Sequence, residues 1–139
     1  MKKALICGIL SLVLLTGCGK AEKIECTNSQ KTAGTEMNTV LNVEIKGNDF
    51  VSLNMEIDMI LPENLLSQKT VLVQQLEKQY AGFEKQYGAQ PITKETDKGA
   101  KVTFEMTKEQ AKKFYGNSST KVTKKEVIAT FEKQGFSCK

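Results

Sequence analysis

Two adjacent runs of strict alternation constrain this chain more than anything else in it. Met37, Thr39, Leu41, Val43 and Ile45 fall on one side of the first run, with Glu36, Asn38, Asn42 and Glu44 on the other. In the second, Val51, Leu53, Met55, Ile57, Met59 and Leu61 alternate with Ser52, Asn54, Glu56 and Asp58. Period two is the spacing of a strand with one face in a core and one in water, and two such runs this close make an antiparallel hairpin. Facing residues of an antiparallel pair share a side of the sheet, so the odd-numbered apolar positions demand an even register sum. That predicts a three-residue loop, Gly47-Asn48-Asp49, with Val43 across from Leu53 and Leu41 across from Met55. On this reading Lys46 and Phe50 flank the loop on the outer face, where an exposed Phe50 would mark a contact patch.

After Pro62 the period changes. Leu65, Leu72, Leu76, Tyr80, Phe83 and Tyr87 recur at steps of three, four and seven, with Leu66 and Val73 widening the stripe, which predicts one helix from Glu63 to Tyr87 stopped by Gly88. Its length, roughly 37 Å at 1.5 Å per residue, matches the roughly 36 Å of each strand, so it is expected to lie along the apolar face of the hairpin. A second hairpin, Ile92 to Thr96 and Lys101 to Met106, is expected around Asp97-Lys98-Gly99, with Gly99 left-handed and Ile92 facing Phe104. Thr107 to Gln110 and Thr123 to Glu126 have capping-box form and head two short helices, ended by Gly116 and Gly135 around a polar loop from Asn117 to Lys121. The fold class expected is α+β in two layers: an antiparallel sheet of two hairpins against one long helix, with short C-terminal helices.

The N-terminus is not part of that core. Lys2 and Lys3 precede an apolar run from Ala4 to Leu15, the length of a secretory leader and too short to span a bilayer, where about 20 residues are needed. Leu15-Thr16-Gly17-Cys18 resembles the lipobox of bacterial lipoproteins, which implies acylation of Cys18 and cleavage before it. A plain signal peptide cut near Gly17 would instead leave Cys18 an ordinary thiol. The organisation expected is a leader over 1–17, a tether over 18–24 and one α+β domain over 25–139, placed outside the cytoplasm and held to the membrane by lipid.

Loss of the leader removes Cys7 and commits Cys18, so of four cysteines Cys26 and Cys138 remain as one pair in an oxidising compartment. A disulfide between them is expected. The opposite reading, two free thiols for redox or metal work, lacks both a CxxC spacing and any histidine. Removing Lys2 and Lys3 also lowers the net charge from +4 to +2. All twenty basic residues are lysine and none is arginine, so nothing points to nucleic acid. Eight lysines against three glutamates between Lys108 and Lys139 make the last third basic, a solvated surface or one facing anionic lipid or wall polymer.

The lipobox, the long hairpin, the helix, the second hairpin, and Tyr80, Gly88, Met106 and the terminal Gly135-Phe136 together resemble the YehR-like family of small bacterial lipoproteins. The resemblance covers the chain from Thr35 onward. It implies a two-layer α+β domain on an antiparallel sheet, and it carries over no catalytic residue, cofactor or ligand.

Chemistry is sparse. With no histidine, Ser-His and Cys-His catalysis and the commonest metal ligand are excluded. Glu44, Glu56 and Asp58 gather on the outer face of the first hairpin, a solvated face or, less specifically, a place for a hard cation. Tyr80, Phe83 and Tyr87 suit a core, or the wall of a ligand pocket. The function expected is a non-enzymatic binding or interaction module at the cell envelope, with a small ligand or an envelope protein as partner. No catalytic residue, metal or cofactor is expected, and ligand contacts and oligomeric state are not fixed by the residues. The alternative is an envelope enzyme using Glu56 and Asp58 alone on wall polymer or peptide.

Overall fold

The computed structural model describes residues 19–116 and 122–139. The leader, Cys18 and the expected polar loop from Asn117 to Lys121 lie outside the described residues.

Six antiparallel strands form one sheet: β1 (Ala21–Thr32), β2 (Thr35–Lys46), β3 (Asp49–Ile60), β4 (Ile92–Thr96), β5 (Gly99–Thr107) and β6 (Ser137–Cys138), in the order β4-β5-β3-β2-β1-β6. The α+β class therefore holds, on a wider sheet than two hairpins. β1 begins inside the stretch expected to be a tether and pairs along its whole length with β2, through a turn at Ala33 and Gly34 with φ of 51° and 84°. Two consecutive positive φ values are what a two-residue turn matched to strand twist requires.

The body of the β2–β3 ladder has the expected register, with Val43 facing Leu53 and Leu41 facing Met55. The turn does not. Ile45 pairs with Phe50 and Lys46 with Asp49, so the loop is the two residues Gly47 and Asn48, and Val51 is an extra residue bulged out of β3. An insertion of one residue swaps the faces on either side of it. Phe50 consequently turns inward, 2% exposed, and Val51 outward, 42% exposed, the reverse of the expectation for both.

The single long helix is also corrected. Glu63–Gln68 is a 3₁₀ helix, α1 runs Lys69–Tyr80, and α2 runs Phe83–Tyr87 after a break at Ala81 and Gly82. Glycine is a poor helix interior residue, and the bend at Gly82 lets the Phe83 ring settle 4.4 Å from that of Phe104. α1 packs over β4 and β5 rather than along the first hairpin; α3 (Lys108–Tyr115) covers β3 and β5, and α4 (Lys124–Lys133) covers β1. Both expected capping boxes are present, at Thr107 with Gln110 and at Thr123 with Glu126.

In the second hairpin Thr96 pairs with Gly99, so Asp97 and Lys98 are the whole turn and Ile92 faces Thr103, not Phe104. Gly99 has no positive φ; it is needed because a Cβ there would lie 1.9 Å from the Met59 carbonyl oxygen. Ile24 and Cys26 of β1, Leu41, Val43 and Ile45 of β2, Phe50, Leu53, Met55 and Ile57 of β3, and Ala100, Val102, Phe104 and Met106 of β5 share one buried face with Leu76, Ala111, Val127 and Phe131 from the helices. A Cys26–Cys138 disulfide closes the β1–β6 edge.

Candidate functional site

Helices cover one face of the sheet, and on the other no side chain of the five longer strands is buried. Register arranges that open face in rows. Lys23, Glu44 and Ser52 form one row across β1, β2 and β3; Glu25, Asn42, Asn54 and Glu105 form the next, reaching β5. Thr27, Val40, Glu56 and Thr103 follow, then Ser29, Asn38, Asp58 and Lys101. Twist makes such a face concave along one diagonal.

A groove of about 520 Å³ lies in the first two rows, lined by Lys23, Glu25, Asn42, Glu44, Ser52, Asn54 and Lys139. A smaller hollow of about 220 Å³ shares Asn42 and Asn54 and continues to Glu56, Thr103 and Glu105. Ligand sites commonly enclose 300–1,000 Å³. None of the nine aromatic residues stands on this face, so it offers amide, hydroxyl, carboxylate and ammonium groups and no stacking platform.

Lys139 supplies one wall of the groove. Its backbone exchanges two hydrogen bonds with Glu25, its N–H donating at 2.9 Å and its carbonyl accepting at 3.0 Å, and its Nζ donates to Glu25 Oε1 at 2.9 Å. The neighbouring disulfide fixes that segment. Lys23 and Glu44, cross-strand partners in the groove, make no ion pair among the described residues.

Of the carboxylates singled out in the sequence, Glu44 lines the groove, while Glu56 accepts from Lys101 Nζ at 2.7 Å. The Glu56 carboxylate holds the Lys101 ammonium above its ordinary value, and Asp58 adds to the effect. Among the described residues no three His, Cys, Asp or Glu side chains are placed to hold a metal ion. Phe50, expected as an exposed contact, packs edge-on against Tyr115 at 5.3 Å in the core. Tyr80, Phe83 and Tyr87 surround Phe104 and Phe114 on the helix side, and burial raises the Tyr80 phenol. They line no groove on the open face.

Sequence reasoning did not find Lys23, Glu25 and Lys139. The signal for the first two was there: Lys23-Ile24-Glu25-Cys26-Thr27 alternates with period two, although only Ile24 and Cys26 bury. No family model, curated protein or solved structure matches this chain. No described helix is long and apolar enough to cross a membrane.

Proposed function

We propose that this chain is a lipid-anchored protein of the bacterial cell envelope, of the YehR-like kind, and that the open face of its sheet is a non-enzymatic binding surface. In this reading residues 1–17 direct export, Cys18 carries the lipid, and the domain stands outside the cytoplasm. The observation that carries the binding role is the groove across Lys23, Glu25, Asn42, Glu44, Ser52, Asn54 and Lys139, a ligand-sized hollow on an uncovered face that is mostly polar, with Val40 and Ile92 among its apolar residues. A sheet face with no aromatic and no buried side chain contributes nothing to the core, so its row of paired amides is available for recognition. The partner is polar: a small hydrogen-bonding ligand or the polar surface of an envelope protein.

Intact-mass analysis of the membrane-extracted protein tests the anchor and expects acylated Cys18 as the first residue. In-cell crosslinking of the same protein tests the binding role, and the captured partner should be lost in an Asn42→Ala, Asn54→Ala variant that remains folded. Capture unchanged by those substitutions would remove the open face from the function. The carboxylate-enzyme alternative gains no support from the geometry, because Glu56 is engaged by Lys101 and the larger groove lies over other residues.

A further inference from the structure

Ala21, where β1 enters the sheet, lies three steps along the chain from Cys18, and a fully extended link of that length reaches about 11 Å. If Cys18 is the anchor, as the preceding reading has it, the end of the sheet at which β1 starts must lie against the bilayer. Ala21 pairs with Lys46 there, beside the Gly47-Asn48 turn, and Lys46 lies against Gly19 of the tether. The Asn48 carbonyl accepts from the Val122 N–H at 2.7 Å, which brings the first turn of α4, with Lys124 and Lys125, to the same end. α3 also begins there, with Lys108 and Lys112 both paired to Asp49.

The charge is polarised to match. Lys20, Lys46, Lys108, Lys112, Lys124 and Lys125 outnumber Glu22, Asp49, Glu109 and Glu126 at this end. Around the opposite turns Lys31, Lys69 and Lys98 are outnumbered by Glu36, Glu63, Glu95 and Asp97. Among the described residues Lys20, Lys46, Lys124 and Lys125 have no ion-pair partner. Two of them occupy the first turn of a helix, whose positive end disfavours cations, and the one carboxylate of that turn, Glu126, is turned back onto Thr123 in the capping box.

We propose that this end of the domain docks on anionic phospholipid headgroups through Lys20, Lys46, Lys124 and Lys125. The strands then stand on the membrane, and the groove opens sideways with its Lys23 row two residues above the anchored end. Docking of this kind gives the lipid chains a second attachment and fixes the direction in which the open face looks.

The test uses the mature acylated protein reconstituted in vesicles of phosphatidylcholine alone or mixed with phosphatidylglycerol, with amine acetylation rates read residue by residue from peptide masses. The four docking lysines should react about fivefold more slowly on the anionic vesicles, the effect expected of one favourable lysine contact at such a surface. Lys31 and Lys98 should be unchanged, and high salt should abolish the difference. The double variant Lys124→Gln, Lys125→Gln, which replaces no buried side chain, should lower the protection of Lys20 and Lys46. Lipid-independent rates on acylated protein, or protection centred on Lys31 and Lys98, would overturn the docking alone. An unacylated Cys18 would overturn the anchor and the docking together.

Discussion

Cys26 and Cys138 stand directly opposite one another across the β1–β6 ladder, and the bond between them holds Lys139 against Glu25 at the rim of the groove. The bridge closes a separation of 112 residues. On the chain-entropy account such a loop contributes on the order of 4 to 5 kcal/mol by restricting the unfolded chain. Replacing both cysteines by serine should therefore lower the unfolding free energy by several kcal/mol in denaturant titration, with a reduced midpoint. A change within about 0.5 kcal/mol, the usual range for a neutral surface substitution, would show that the bridge does not constrain the chain.

The bulge at Val51 makes neighbouring residues behave oppositely. Phe50→Ala removes a buried ring packed against Tyr115 and should cost about 3 to 5 kcal/mol. Val51→Ser changes an exposed side chain and should stay within about 0.5 kcal/mol. Thermal or denaturant unfolding of the two variants decides it; equal losses, or a larger loss for Val51, would place the extra residue elsewhere.

Gly47 and Gly99 separate two reasons for glycine. Gly47 has φ 66° with nothing within 4 Å of an added Cβ, so Gly47→Ala pays for backbone conformation alone, about 1 to 2 kcal/mol. Gly99 is hemmed by backbone, and Gly99→Ala must part β5 from β3 at the Ile60 pair, with a loss exceeding that of Gly47→Ala. Hydrogen exchange should accelerate at the Met59 to Leu61 end of β3 in the second variant only.

Asp49 gives the fold one acid-sensitive contact. Bonding to Lys108, opposed by partial desolvation and reinforced by Lys112, holds its carboxyl below the ordinary value of 3.8. A lowered folded value means that this contact stabilises fully above the unfolded value and is lost as pH falls through the folded one. The stability difference between wild type and Asp49→Asn should be constant from pH 7 to about 5, then shrink toward zero in more acid solution. Salt should reduce it as well, because the groups are exposed. A difference that persists undiminished at pH 2 would mean that the carboxylate charge is not the source.

The sequence was most legible where one face of a strand alternates cleanly. Residues 37 to 44 and 52 to 59 of the first hairpin show both the pairing and the buried side that alternation predicts, and Leu41, Val43, Leu53 and Met55 sit where it puts them. Phe50 and Val51 defeated the pattern because both are apolar, so nothing in the alternation marks which is the inserted residue. β1 was hidden by its many polar side chains, a consequence of lying between β2 and the two-residue β6 with a solvated outer face. Periodicity alone could not show where a helix breaks, and Gly82, the cue to it, falls between two aromatics that continue the stripe. The site was legible only in part: Glu44 was placed correctly on the open face, but its companions Lys23, Glu25 and Lys139 come from segments whose strand character is set by tertiary pairing.

Site-specific photo-crosslinking in the cell tests the central claim most directly. A photoreactive residue at Asn42 or Asn54, in the groove, should capture a discrete envelope component, while the same residue at Gln74 or Glu77, exposed on the outer surface of α1, should capture little. Equal capture from both faces, or capture from α1 alone, would contradict the assignment of the open sheet face as the binding surface.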